Sequence, residues 1–523
     1  MLRLALVVSL VAAGPLLAQS APQTGLRKAT LYEDLQMFSQ VLNQIRVNHF
    51  DSVDVHSLIL AAVEGMVHAA DPHSYVLPAA RLSPEKAHAL EDGKLIALPV
   101  TFRFIGGSPV VARVLPLSRA AGTDILPGDE LIAIDGQPVS ATTSEELDVA
   151  LAGEKNSTVR LRLSRYRGDG SSLEVERLVK RERVGEETAV PVARLLGPET
   201  GYVRITTFNN VGVADDLHDA IGRLKSRGMK RLVLDLRDNG GGYVDQAAQV
   251  AGVFLPSGAV VYTTEQRKEA KIDTVKVKRS FWQREDRYPL IVLVNEGTAS
   301  ASELVAGALQ DHDRALIVGR PTFGKSLMMR PFPLTDGSVI MLAFGRVRTP
   351  CGRILQREYR DLTRRDYYRL AGAARDTAGR PSCRTPGGRT VYGGGGVYPD
   401  LRLDDPPGYP LWLARLLEED LPLKWAGGYL SAATVPPLDS LAARPVPPAG
   451  ALADFRQFAQ ARGLEIPAGA EVDARLERLL VQQIAYTRWG ELGLAQLATA
   501  LDPVIRDAAK YFDRATQVLG VTH

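Results

Sequence analysis

Apolar residues recur at three- and four-residue spacings early in the chain. In "LYEDLQMFSQVLNQIRVNHF", Leu31, Leu35, Phe38, Val41, Leu42 and Ile45 form one stripe, which predicts an amphipathic helix. A second helix is expected over "VHSLILAAVEGMVHAA", stopped at "DPHS" by Pro72. Residues 28–92 therefore read as a helical region. From 93 to 183 the period drops to two, with "STVRLRLSR" a strand whose arginines point outward and "SEELDVALAG" a helix. From 185 to 405 strands alternate with helices. "GYVRITTFN", "KRLVLDLRD" and "YPLIVLV" predict strands, and "VADDLHDAIGRLKSRG" a helix ended by Gly228. That alternation implies an α/β core. After "GVYPDLRL", Pro406, Pro407, Pro436, Pro437, Pro445, Pro447 and Pro448 mark linkers. In "EVDARLERLLVQQIAY", Val472, Leu476, Leu479, Leu480 and Ile484 make one helical face, so 406–523 reads as a C-terminal helical region. The expected fold class is multi-domain α/β.

The N-terminus departs from this pattern. "MLRLALVVSLVAAGPLLAQ" has Arg3, an apolar run from Leu4 to Leu17, and small residues at its end. It reads as a secretory signal over residues 1–18, cut after Ala18, with an uncleaved inner-membrane anchor as the alternative. Export, to a bacterial periplasm, is the expected location. No later apolar run reaches the ~18 residues a membrane span needs. A chain of 523 residues exceeds one core, and its 45% hydrophobic, 24% charged composition is that of a globular protein. The net charge of +3 gives no reason to expect nucleic acid. Two cysteines, Cys351 and Cys383, suggest a disulfide in an exported chain, the alternative being two free thiols. Closing a loop of about 33 residues, such a bridge is worth roughly 3–4 kcal/mol.

"GRPTFGKS", Gly319 to Ser326, matches the phosphate-loop pattern letter for letter, and a strand precedes it. Such a loop must open a helix whose amides receive the anion. Here "SLMMRPFPLTDGSVIMLAFGRV" follows, with Pro331 and Pro333 breaking any helix and the rest alternating like a strand. Lys325 then reads as a base. A desolvated lysine can be neutral enough to take a serine's proton, and Ser300 sits in a turn of small residues before a helix. That helix would aim its first amides at a developing oxyanion. The Ala301 amide is one candidate donor, and Gly241 or Gly242 of the "NGGG" turn the other. The plainer reading of that turn is that Asp235 and Asp238 cap it and the glycines only permit it. No His/Cys cluster has metal-ligand spacing, and no cofactor is implied.

Two resemblances follow from these stretches. The "LPGDELIAIDG" segment resembles a PDZ domain, which binds a peptide C-terminus by strand addition. "ALPVTFRF" lacks the usual carboxylate-binding glycine, so a β-domain that only packs on its neighbour is the alternative. The order "DPHSYVLP", PDZ, "GYVRITTFN", "LDLRDNGGG", "TASASELVAGALQDHDRALIVGRPTFGK", "GRTVYGGGGVYPDL" resembles the carboxy-terminal processing (tail-specific) peptidases over roughly residues 30–405. The resemblance implies a crotonase/ClpP-like α/β core with an inserted PDZ domain. It places the nucleophile on Ser300 and the base on Lys325, with protein or peptide substrates bearing apolar C-terminal tails. It also points to Asp311. One helix from Ser300 would carry Asp311 ~16 Å along the axis, which favours a structural role; His312, as far away, reads as a bystander. A family glutamine that orients the lysine is replaced by Met329, and a thioether cannot stand in for an amide. Ser302 or a backbone carbonyl is the expected substitute. "GGGG", Gly393 to Gly396, is either a tight loop beside the groove or a flexible surface turn. A catalytically dead peptide-binding relative is the rival reading, and a homo-oligomer is open.

Overall fold

The computed structural model describes residues 30–77, 86, 89, 94–403 and 410–520, apart from 97, 106, 116–117, 142–143, 167–170, 183–187, 267–271, 279–286 and 374–375. The signal-like segment 1–18 and the Pro406–Pro407 linker lie outside the described residues. The chain divides into two units, Met1–Gly65 and Met66–His523.

In the first unit the expected helix forms over Leu31–Asn48. Thr30 and Glu33 cap it reciprocally, the Glu33 carboxylate taking the Thr30 N–H at 2.7 Å. None of its residues is buried, so the stripe of Leu31, Leu35, Phe38 and Val41 stays exposed. The periodicity that specifies the helix carries no information about what covers it.

Among its described residues the second unit holds three sheets of five or six strands and a two-stranded ribbon, Ser382–Arg384 with Thr390–Tyr392. The PDZ-like sheet runs 100–105, 108–114, 130–134, 158–166 and 172–180, antiparallel throughout. Its alternate positions, such as Val111, Leu131, Leu161 and Leu163, close on Leu147 and Leu151 of the Ser144–Leu151 helix. The central sheet is ordered 401–402, 316–319, 290–294, 231–235, 200–204, 192–195, parallel except for the last pair. Parallel strands are covered on both faces. Leu232, Leu234 and Val292 pack under the helices Val213–Ser226, Val244–Phe254 and Ala301–Asp311. Val233, Ile291 and Leu293 face Ile505, Ala508, Phe512 and Ala515. The last stretch of the chain therefore belongs to the central sheet rather than to the helices before it. Those helices gather around Trp425, Phe455 and Phe458. A third, antiparallel sheet holds the strands Leu327–Pro333 and Val339–Arg348, as the alternation after Lys325 requires.

The PDZ "LPGD" turn meets the C-terminal helices backbone to backbone. A Cβ on Gly128 would lie 2.4 Å from the Leu423 carbonyl oxygen, and one on Gly427 2.6 Å from that of Pro127. No helix among the described residues is long and apolar enough to cross a membrane.

Candidate active site

Two neighbouring parallel strands, Arg231–Asp235 and Leu290–Val294, end side by side and run into the two turns singled out in the sequence. The turns are stitched together. Asn295 accepts the Asp238 N–H at 2.9 Å and donates to the Asp238 carboxylate at 2.8 Å. Thr298 donates its hydroxyl to the Leu236 carbonyl, and the Ala299 N–H reaches the Asn239 carbonyl at 3.0 Å. Gly241 has φ +97, and a Cβ there would lie 2.9 Å from Ser300 Cβ and 2.7 Å from the Ala299 carbonyl oxygen. Glycine is the residue that lets the "NGGG" turn lie against the serine.

Ser300 is half-buried at the mouth of the Ala301–Asp311 helix, with φ 56 and ψ −118. A non-glycine residue in that region costs of order 1–3 kcal/mol and persists where its surroundings over-determine it. The over-determining group is Glu303, fully buried beneath the turn. Its Oε2 accepts the Ser300 N–H at 2.9 Å and the Lys325 N–H at 2.8 Å. Its Oε1 accepts the Gly324 N–H at 2.8 Å and the Thr322 hydroxyl at 2.5 Å. One carboxylate thus ties the serine turn to the lysine loop. Burial raises the Glu303 carboxyl above its ordinary range, and these four donors oppose the rise. Burial also lowers the Lys325 amine, against the opposing charges of Glu303 and Asp71. No hydrogen bond joins Ser300 Oγ to Lys325 Nζ among the described residues. Behind the lysine loop, "GGGG" is packed tightly rather than loose: a Cβ on Gly396 would lie 2.5 Å from the Thr322 carbonyl oxygen.

This geometry places each of the other residues singled out in the sequence. Ser302 does not reach the lysine, because its buried hydroxyl donates to the Asn239 carbonyl at 3.0 Å. The Gly241 N–H is spent on Asn239 Oδ1 at 2.9 Å, so it is not free to receive an oxyanion. Asp311 is held away from the site by an ion pair to Arg353, both side chains buried, and by the Cys351 N–H at 2.9 Å. Both of its oxygens are engaged there, as a structural carboxylate's would be. His312 bonds the Val260 carbonyl at 2.7 Å. Met329 lies in the Leu327–Pro333 strand opposite Ala343, half-buried, with no amide to offer. Cys351 and Cys383 are joined in a disulfide. Ala301, the first residue of its helix, follows Ser300 directly, and Gly242 follows Gly241 in the turn, bridged to Phe208. Sequence reasoning passed over Glu303 and His73; the signal for the first was an acidic residue closing "TASASE", three positions after the serine.

A nucleophile turn, a desolvated lysine and a PDZ fold together define a serine-type peptidase with a peptide-binding module. Comparison with known proteins agrees. Residues 199–361 match the model of peptidase family S41, and residues 99–164 that of the PDZ domain. A carboxy-terminal-processing protease of Bartonella bacilliformis is 30% identical over 62% of this chain and 73% of its own. The carboxy-terminal processing protease CtpA of Bacillus subtilis is 26% identical over 68% of this chain and 72% of its own. The chloroplastic carboxyl-terminal-processing peptidase 2 of Arabidopsis thaliana is 35% identical, and the match spans 53% of its length. Among solved structures, the photosystem II D1 C-terminal processing protease is 25% identical over 70% of this chain and 86% of that one, with a TM-score of 0.37. The chain belongs to peptidase family S41, the carboxy-terminal-processing proteases.

Proposed function

We propose that this chain is an exported serine endopeptidase that cleaves proteins presenting apolar C-terminal tails, on a crotonase/ClpP-like core. Ser300 Oγ attacks the peptide carbonyl, and Lys325 Nζ takes its proton and later gives it to the leaving amine. The Ala301 amide, which has no helical acceptor, and the Gly242 amide receive the oxyanion. The observation that carries this reading is the meeting of the Ser300 and Lys325 backbones on one buried carboxylate oxygen. The two backbones are thereby held close to one another, and catalytic hydrogen bonds commonly tighten only when substrate is bound. The 100–105 strand is an edge of the PDZ sheet, where a substrate tail can add as a further strand. The disulfide suits an oxidising compartment such as the periplasm.

The test follows cleavage of an unfolded, apolar-tailed substrate by mass spectrometry with wild type, Ser300→Ala and Lys325→Ala. Loss of cleavage in both folded variants is expected. A wild type that binds the tail without cutting it refutes the protease reading and leaves a peptide-binding relative.

A further inference from the structure

The main chain of Lys325 is held on both sides of one peptide. Its N–H goes to Glu303, and the Gly324 carbonyl accepts the Arg357 N–H at 2.8 Å and the Tyr367 hydroxyl at 3.3 Å. Tyr367 is fully buried. Its oxygen also accepts Gln356 Nε2 at 3.0 Å and lies 3.2 Å from Nε2 of His73. A phenol has one proton; with that proton on the Gly324 carbonyl, His73 Nε2 is the donor to Tyr367. Nδ1 is then an acceptor, and the Tyr368 hydroxyl stands 3.2 Å from it. His73 is 4% exposed and edge-on to both tyrosines, with Phe323, two residues before the lysine, 6.0 Å away. It is delivered by the "DPHS" turn, where Asp71 accepts the backbone N–H groups of His73 and Ser74, each at 2.8 Å.

We propose that His73 is a positioning residue for Lys325, acting through Tyr367 to fix the Gly324–Lys325 peptide and to keep water from the amine. The inference rests on the Ser–Lys reading above.

The charges facing the two groups set the direction of the test. Lys325 feels Glu303 from the Ala301–Asp311 helix and Asp71 from the "DPHS" turn. His73 faces Lys325, Asp71, Arg357 and Arg364. Burial, with the Lys325 charge second, lowers His73 to about 4, so the ring is uncharged near neutral pH. Opening the cluster to water relaxes the desolvation that lowers Lys325, and its pKa climbs toward the ordinary lysine value. Activity that needs a neutral lysine then appears only at higher pH.

The experiment measures kcat/KM against pH for wild type, His73→Ala, Tyr367→Phe and the double variant, with Ser300→Ala as the control. The rising limb is expected to move up by about one pH unit in each single variant, a loss of about tenfold on the limb that is regained on the plateau. The double variant should move no further than the larger single, since the two act in series. If His73→Ala does not fold, Tyr367→Phe, which deletes one oxygen from the same relay, carries the test alone. A limb that stays in place in the folded variants, whatever its height, overturns the inference and marks His73 as structural. A wild type without Ser300-dependent turnover overturns the Ser–Lys reading itself.

Discussion

Glu303→Gln tests whether one carboxylate joins the nucleophile to the base. A glutamine has a single oxygen for four donors. Thr322 can turn its hydroxyl to accept from the new amide, although it already receives the Val397 N–H at 2.7 Å. The side chain should therefore settle with its nitrogen toward Thr322 and Gly324, keeping its oxygen on Ser300 and Lys325. The Gly324 N–H then loses its acceptor, which costs about 1–3 kcal/mol. Losing charge assistance at Ser300 and Lys325 adds roughly 1 kcal/mol each. Against this, burial raises the Glu303 carboxyl, so the ionised form is costly in the fold and a neutral amide is spared that cost. The net loss of stability is about 2–4 kcal/mol, read by urea unfolding. Activity should respond differently. The Glu303 charge props up the Lys325 pKa while burial pulls it down. Without that charge the lysine loses its proton more easily, so the rising limb of kcat/KM should move to lower pH. The plateau should fall at the same time, by about tenfold or more, because the serine turn is held less firmly. A limb that moves to higher pH or does not move would refute the electrostatic argument, and an unchanged plateau would refute the clamp.

Gly241→Ala places a methyl 2.7 Å from the Ala299 carbonyl oxygen at a backbone angle that L-residues resist, whereas a Cβ on Gly240 meets nothing within 4 Å. Turnover in Gly241→Ala is expected to fall by about 100-fold with the protein still folded, and Gly240→Ala to stay near wild type; equal losses would refute the close-approach argument. Asp311→Asn strands the buried Arg353 charge and should cost about 3–5 kcal/mol by denaturant unfolding. It should leave the rising limb of the pH profile in place, and a moved limb would restore Asp311 to the catalytic machinery.

Much of this arrangement was legible in the sequence for identifiable reasons. Short apolar runs marked the strands Arg231–Asp235 and Leu290–Val294, which are covered on both faces, and a period of 3.6 marked the helix Val213–Ser226, because burial repeats with the geometry of each element. Pro331 and Pro333 excluded a nucleotide loop after Lys325, and the strand Leu327–Pro333 stands there. Partners were not legible. The stripes on the helices Leu31–Asn48 and Phe512–Gly520 look alike as patterns, yet the first has no buried residue and the second lies on the central sheet. Directions were not legible either. Glycine at 241 announced a close approach, but whether its N–H faces the substrate or Asn239 depends on one peptide plane. Glu303 reads along the chain as a helix-capping acid, and only the fold brings Gly324 and Lys325 onto it. His73 looked like part of a helix stop, since its partners lie 294 and 295 residues away.

The same long-range logic explains the last stretch of the chain. Arg237 lies between Asp235 at the end of its strand and Asn239 of the turn. One edge of its guanidinium grips Asp235, at 2.6 and 2.9 Å, and Tyr202 donates to that same carboxylate at 2.9 Å. The remaining nitrogen binds Asp502 at 2.5 Å. Asp502 is fixed in turn, because it accepts the Val504 N–H at 2.8 Å and starts the Pro503–Asp507 helix. A guanidinium bound on both edges cannot swing, so the chain enters the turn at 237 along one path. Two residues later Asn239 holds the Gly241 N–H with its side-chain oxygen and donates its amide to the Ile205 carbonyl at 2.9 Å. The strained serine turn therefore rests on a floor braced from the far end of the sequence, while its lysine is braced from the near end through His73. Such strain persists only where it is held from several sides. That gives a physical reason for segments outside the central sheet to fold back onto it.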